Sequence, residues 1–220
     1  MAYQLVIGNK NYSSWSMRPW VLMTHFGIPF EEVRIPLYTP AWQAQIRKVS
    51  PTGKVPCLIC DATTVWDSLA IAETLHERHP ALGLYPADPA ARALARSVSA
   101  EMHSGFSTIR AQMSMNIRLA VVHSMASEVL RSEVDRVKEI FATCLARSGG
   151  PYLFGQFSIA DAMYAPVIMR FRSYGVSLDA LCEAYRDTIV RNPAVSRWMS
   201  DALEETETIP DYETVSRMYL

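Results

Sequence analysis

Strand signals occupy only the first third of this chain. They stop at HPALGLYPADP, His79 to Pro89, a segment with three prolines and a glycine that reads as a linker. Beyond it every patterned stretch repeats at helical spacing. One sheet cannot extend through such a chain, so two units are expected: residues 1–80, a linker at 81–88, and residues 89–220. The first reads as a small α/β unit with a mixed sheet, the second as an all-helical bundle.

The α/β unit follows from local patterning. YQLVIG at 3–8 reads as a buried strand, and Trp15 to Phe26 as a helix that Gly27 stops, with Pro19 tolerated in its first turn. Residues 31–35 look like a short strand and Ala41 to Val49 like a short irregular helix. SPTGKVPCLI predicts a turn and a third strand, DATT a tight turn, and VW the start of a fourth strand. Ser68 to Glu77 completes the unit as a helix, giving the order βαβα and then ββα. In the helical unit, Ala90 to Met125 and Ser127 to Arg147 read as two long helices. The second carries Leu130, Val134, Val137, Phe141 and Cys144 on one stripe, and Gly149, Gly150 and Pro151 end it. Three more helices are expected at Ser158 to Ser173, Leu178 to Val190 and Ala194 to Glu204. From Thr206 the periodicity ends, which predicts an extended arm that either crosses the cleft between the units or trails in solvent.

Composition narrows the class. Among 220 residues a fifth are charged and the formal net charge is −1, so nothing draws the chain as a whole to nucleic acid or an anionic membrane. No apolar run reaches the length of a membrane-spanning helix, and the N-terminus lacks the apolar core of a signal peptide. A cytoplasmic protein is expected. Of the four cysteines, Cys57 and Cys60 form a C-x-x-C. Redox pairs of that kind open a helix, whereas PCLIC sits in an apolar strand-like run. Strand positions three apart point to opposite faces, about 10 Å apart, which is beyond disulfide reach. Buried structural cysteines are expected. His76 and His79 have no acidic or cysteine cluster beside them, so no metal site is expected.

Three short stretches carry candidate chemistry: NYSSWSMR after the first strand, KVP before the third, and Asp67-Ser68 at a helix start. A thioredoxin-type α/β layout brings them to one edge of the sheet. Ser13 and Ser14 either cap a helix or face a ligand, because a helix N-terminus favours an anion and a hydroxyl there can hydrogen-bond to it.

With these residues in view, the chain resembles the cytosolic glutathione transferase family over nearly its whole length, in a bacterial-type subgroup with a zeta-like serine motif. SSWSMR is similar to the S-S-C-S-x-R motif of the zeta class, with Trp15 in place of the cysteine. PTGKVPCLI resembles the segment with the family's cis-proline, DSLAIAETL the segment that holds the γ-glutamyl end of glutathione, and FSIADAMYAPV the entry to a central helix.

The resemblance implies a thioredoxin-like N-terminal domain and an all-α C-terminal bundle. It implies that Ser13, five residues before Arg18, stabilises the glutathione thiolate as a hydrogen-bond donor, with Ser14 as the other candidate. Lys54 is then a partner for the glycyl carboxylate, Val55 before cis-Pro56 offers its backbone to the cysteinyl part, and Asp67 and Ser68 hold the γ-glutamyl end. Asp67 stands where the family usually has glutamate, one methylene longer. Trp15, Trp42 and Met113 are expected to line an apolar second-substrate pocket. Arg92, Arg96 and Arg110 are expected at the surface or a dimer contact. Ser158 and Asp161 are expected to form a capping box with Asp161 buried and structural.

The implied activity is conjugation of the glutathione thiolate to small apolar electrophiles, a detoxification-type chemistry. Glutathione is the co-substrate, and no tightly bound cofactor or metal is needed. The partners implied are glutathione, the electrophile and a second copy in a homodimer, with neither nucleic acid nor membrane. Two other readings stay open. One is glutathione-dependent cis–trans isomerisation, whose dianionic substrates would require basic residues in the pocket. The other is a non-catalytic protein that binds glutathione or an apolar ligand.

Overall fold

The structure, a computed structural model, describes residues 3–215 and 217–218. Met1, Ala2, Ser216, Tyr219 and Leu220 lie outside the described residues, among them the end of the expected C-terminal arm.

Strand β1, Tyr3–Ile7, is the centre of the α/β unit. It pairs in parallel with β2, Glu31–Arg34, and antiparallel with β3, Cys57–Cys60. Strand β4, Thr63–Val65, pairs antiparallel with β3, so the sheet runs β2-β1-β3-β4. Period-2 alternation sorts the side chains onto two faces. Leu5, Ile7, Leu58 and Cys60 join the main core under helices α1, Ser14–His25, and α3, Ser68–Arg78. Val6 and Cys57 face the other way, toward Ile35 and toward Trp42 and Ile46 of the short helix α2, Trp42–Ile46. Cys57 and Cys60 therefore lie on opposite faces of β3, both buried and free, and desolvation pushes the Cys57 thiol up to about 11. That geometry suits packing and does not suit a redox pair.

A 3₁₀ turn at Pro80–Leu82 leads to the helices. The expected single helix from Ala90 to Met125 is instead two. Helix α4 is Pro89–Ser104 and α5 is Ser107–Gln112. The break has a local cause. Gly105 leaves the helix in extended conformation, where a Cβ would lie 2.8 Å from the Glu101 carbonyl oxygen, and Phe106 follows with φ +56°. After Gln112 the chain is non-helical as far as Ser127, and it turns back onto the first unit. The Arg118 N–H donates to Asn11 Oδ1, and the Val121 N–H donates to the Ser173 carbonyl.

Helices α6, Glu128–Ser148, and α7, Ile159–Ser173, follow. The stripe of α6 is buried as expected from Leu130 through Leu145, while Val129 is exposed. Helix α7 is buried almost throughout and packs against α1 and α4, which makes it the axis joining the two units. At its start the fully buried Asp161 accepts from Leu153 N, Ser158 N, Ser158 Oγ and the Tyr185 hydroxyl. Helices α8, Ala180–Arg191, and α9, Pro193–Glu204, complete the bundle.

The tail does not trail in solvent. The Glu205 carboxylate accepts from the N–H groups of Lys10 (2.7 Å) and Asn11 (3.0 Å). Arg118 donates to the carbonyls of Glu205 and Glu207 and to the Tyr12 hydroxyl. The chain then forms a short helix α10, Pro210–Val215, where an extended arm was expected.

Candidate functional site

The turn between β1 and α1 is built from backbone bonds. The N–H groups of Tyr12 and Ser13 both reach the Asn9 carbonyl, and this delivers two hydroxyls to the mouth of α1. Ser13 is the N-cap residue by position, yet its side chain makes no cap hydrogen bond. Its hydroxyl donates to Ser16 Oγ at 2.7 Å, and Ser16 Oγ also accepts from the Gly8 N–H. Ser14 Oγ accepts from Arg170 Nη2 at 3.0 Å. Neither hydroxyl is spent on helix capping, and both residues line the same cleft.

That cleft has a volume of about 620 Å³ and lies between the two units, roofed by α10. It gathers Ser13, Ser14, Trp15, Trp42, Lys54 and Val55 from the α/β unit. Tyr212 closes one side, edge-on to Tyr12 with ring centroids 5.5 Å apart and tilted against Tyr38 at 6.4 Å. The helical unit adds Arg110, Ser114 and Arg170, and α10 adds Asp211. Among the described lining residues, Lys54, Arg110 and Arg170 thus face a single carboxylate.

Arg170 is 5% exposed, and its Nη1 donates to the Met113 carbonyl at 2.8 Å. Desolvation pushes its guanidinium down to about 10, which leaves it cationic at neutral pH. Arg18 is buried behind Trp15, with its guanidinium 4.2 Å from the ring centroid. Burial, and to a smaller extent Arg170, push it down to about 9. Its Nη1 has no hydrogen-bond partner among the described residues. Trp15 also meets the Arg110 guanidinium at 5.3 Å and the His103 ring at 5.4 Å, so it is held between two guanidiniums and an imidazole ring.

Four expected site residues do not line the cleft. Met113 is fully buried in the core, and only its carbonyl serves the site, through Arg170. Pro56 is buried next to Val55, and the Val55–Pro56 peptide is cis. At α3 the N-cap is Asp67, the last residue with extended backbone. Asp67 Oδ1 accepts from the Leu69 and Ala70 N–H groups, and Oδ2 lies 2.7 Å from His103 Nε2. Ser68 is the first helical residue, and its buried hydroxyl has no partner among the described residues. Asp67 still reaches the cleft indirectly, through His103 and Trp15.

Sequence reasoning missed three contributors. Arg110, expected at the surface or a dimer contact, lines the cleft. Arg92 stays local on the Pro86 and Ala87 carbonyls, and Arg96 pairs with Glu73. Arg170 had a readable signal, a cation directly after the apolar run MYAPVIM and before Phe171 in a helix, where arginine is seldom buried without a task. Tyr212 had none, since α10 lacks periodicity. Among the described residues no group of histidine, cysteine, aspartate and glutamate could hold a metal ion, and no helix is long and apolar enough to cross a membrane.

Comparison with known proteins agrees with this geometry. Residues 12–78 match the family model for the glutathione S-transferase N-terminal domain, and residues 91–201 match that for its C-terminal domain. A maleylacetoacetate isomerase of Rattus norvegicus is 30% identical over 172 residues, 76% of this chain and 77% of that protein. Glutathione S-transferase L1 of Arabidopsis thaliana is 23% identical over 208 residues, covering 91% and 80%. A solved glutathione transferase homologue from Burkholderia, with bound glutathione, superposes with a TM-score of 0.73 at 24% identity, over 93% of this chain and all of that one. With a mixed four-stranded sheet, a helical bundle and a cleft between them that starts at a paired-serine turn, the chain belongs to the glutathione S-transferase family.

Proposed function

We propose that the chain binds glutathione on its α/β unit and adds the thiolate to a small electrophile held in the cleft. One observation carries this reading: two hydroxyls at the mouth of α1 open onto the same cleft as the aromatic rings of Trp15, Trp42 and Tyr212. Lys54 suits the glycyl carboxylate and the Val55 backbone the cysteinyl part. Asp67 and Ser68 suit the γ-glutamyl end, once the ligand's ammonium displaces His103. The thiol proton leaves to solvent and a serine hydroxyl hydrogen-bonds to the sulfur. As the sulfur–carbon bond forms, the electrophile either releases its leaving group with the bonding pair or breaks a conjugated π bond whose electron pair takes a proton from solvent. The aromatic walls bind its apolar part.

The cations favour a second reading. Lys54, Arg110 and Arg170 against Asp211 suit a substrate with carboxylates, as glutathione-dependent isomerisation requires. There the thiolate adds to a conjugated alkene and the electron pair moves onto the carbonyl oxygen. The former double bond rotates, and expulsion of the thiolate restores the alkene. The names of two relatives, maleylacetoacetate isomerase and glutathione S-transferase, correspond to these two outcomes.

The division into residues 1–80, 81–88 and 89–220 fits the end of α3 at Arg78 and the start of α4 at Pro89. Free, buried thiols fit a reducing cytoplasm, and a two-fold dimer is the commonest assembly for such a chain. The test of the activity is to count glutathione. Conjugation consumes one molecule per turnover of an apolar electrophile. Isomerisation of a cis-unsaturated dicarboxylate leaves the glutathione concentration constant. Turnover of neither substrate class would refute the catalytic reading.

A further inference from the structure

Lys10, Asn11 and Tyr12 immediately precede the two serines, and each is gripped by a carboxylate from the C-terminal tail. The Lys10 N–H donates to Glu205 Oε1 at 2.7 Å, and the Asn11 N–H donates to Glu205 Oε2 at 3.0 Å. The Tyr12 hydroxyl donates to Glu213 Oε1 at 2.6 Å. The partners lie 194 to 201 residues apart in the chain, so only the folded tail brings them together. All three turn residues are buried, and the Glu205 side chain is only 8% exposed. Hydrogen bonds from N–H groups to a sheltered carboxylate are the strong kind.

Glu205 spends one oxygen on each N–H, so a single side chain fixes two successive peptide planes. The segment it fixes runs straight into the site. The Asn9 carbonyl accepts from the N–H groups of Tyr12 and Ser13, so any rotation of the Lys10 and Asn11 peptides carries the serines with it. Residues 10–12 belong to neither helix nor strand and have no regular structure of their own to hold them. The helical unit anchors the tail in this position. Arg118 donates to the carbonyls of Glu205 and Glu207, and Asn116 links Asn11 to Glu213. Arg34 Nη1 adds an ion pair to Glu205 Oε1 at 3.4 Å.

We propose that Glu205 is a positioning residue: docked on the Lys10 and Asn11 N–H groups, it sets the turn that presents the serine hydroxyls to the cleft, so the tail completes the working geometry of the α/β unit. This deepens the proposed function and rests on the cleft being a glutathione site. It holds whichever of the two serines meets the sulfur. Glu205 touches no reacting atom and keeps its charge throughout. Displacing a reacting group by about 1 Å can cost about a hundredfold in rate, so a loosened turn has a measurable effect.

The test compares full-length wild type with Glu205→Ala, Glu205→Gln and Glu207→Gln. The Glu207 side chain pairs with Arg34 beside Glu205, but among the described contacts it takes no N–H of the turn, so Glu207→Gln is the control. Hydrogen exchange of residues 9–13, read by mass without glutathione, reports on the turn alone. It should quicken at least about tenfold in Glu205→Ala and stay within about twofold in the control. Glu205→Gln should fall between, because one amide oxygen replaces two carboxylate oxygens. Thiolate absorbance of the glutathione-saturated proteins then reports on the site. The thiolate fraction at neutral pH should fall about tenfold in Glu205→Ala, and the turnover number with it. KM for glutathione should stay within about threefold, because Lys54, Val55 and Asp67 are untouched. A merely structural role would lower the thermal midpoint and leave the thiolate fraction as it is in wild type. If Glu205→Ala is poorly folded, Glu205→Gln carries the result. Exchange in Glu205→Ala no faster than in the control overturns the docking role. Faster exchange with an unchanged thiolate fraction overturns the positioning role. Both outcomes leave the glutathione reading intact, whereas wild type that binds no glutathione overturns that reading and this role together.

Discussion

His103 Nε2 sits 2.7 Å from Asp67 Oδ2, so the carboxylate expected to receive the ammonium of glutathione already holds a partner from the helical unit. Both side chains are partly exposed, at 27% and 49%. A partly exposed contact of this kind is worth at most about 1 kcal/mol, so the ligand can displace it at modest cost. Replacing His103 by Phe keeps a ring against Trp15 and frees Asp67. Glutathione affinity, measured by calorimetry, should then rise by up to about fivefold. Weaker binding in His103→Phe would mean that His103 helps hold the ligand.

Arg110 separates the two substrate classes. It lines the cleft, and desolvation lowers its pKa. For a carboxylate-bearing electrophile, Arg110→Ala should raise KM about tenfold, the typical loss of one charge-assisted hydrogen bond. For an apolar electrophile the same change should leave KM within about twofold, because Trp15 and Tyr212 remain. Steady-state kinetics with one substrate of each kind decides, and equal effects on both would contradict the assignment.

The roof depends on a few polar contacts. Arg118 clamps two tail carbonyls and Tyr12, while Glu213 accepts from Tyr12 (2.6 Å) and Asn116 (3.0 Å). Arg118→Met should release α10 and expose the tail to proteolysis after Glu204. KM for the electrophile should rise, and the thermal midpoint should move by only a few degrees. Limited proteolysis followed by mass measurement reads this directly. A tail as resistant as that of wild type would show that Tyr212 and the Glu205 contacts suffice.

Asp161 predicts a pH dependence of stability. Burial pushes its carboxyl up to about 6, against an ordinary 3.8, even though four hydrogen bonds oppose the shift. A folded-state pKa above the unfolded one stabilises the fold at low pH, and that stabilisation is lost as pH rises from about 4 through about 6. Asp161→Asn cannot titrate and should not show that slope in denaturant unfolding across the same window. It should also be less stable overall by about 2 kcal/mol, because an amide cannot accept from Leu153, Ser158 and Tyr185 at once. Parallel pH profiles for the two proteins would contradict the shift.

The division into sheet and bundle was readable because periodicities of 2 and 3.6 do not mix and His79–Pro89 punctuates them. The break at Gly105 was less visible. Glycine alone does not end a helix, and Phe106 in left-handed conformation, which a bulky residue seldom adopts, completes the break. At the site, the serine turn and the Lys54–Val55 corner were legible because each is local. Arg170 and Tyr212 enter from far along the chain, so only the fold brings them to Ser14 and Tyr12. That Asp67 and not Ser68 caps α3 turns on one residue of backbone, finer than cap preferences resolve.

The most direct test of the account is the acidity of glutathione bound to the wild-type protein, read as ultraviolet thiolate absorbance against pH. The account predicts that the bound thiol ionises at least about one unit below its usual range near 8.5, drawn down by the helix N-terminus, a serine hydroxyl and Arg170. A bound thiol that ionises where the free one does would contradict it, and the cleft would then hold glutathione without activating it.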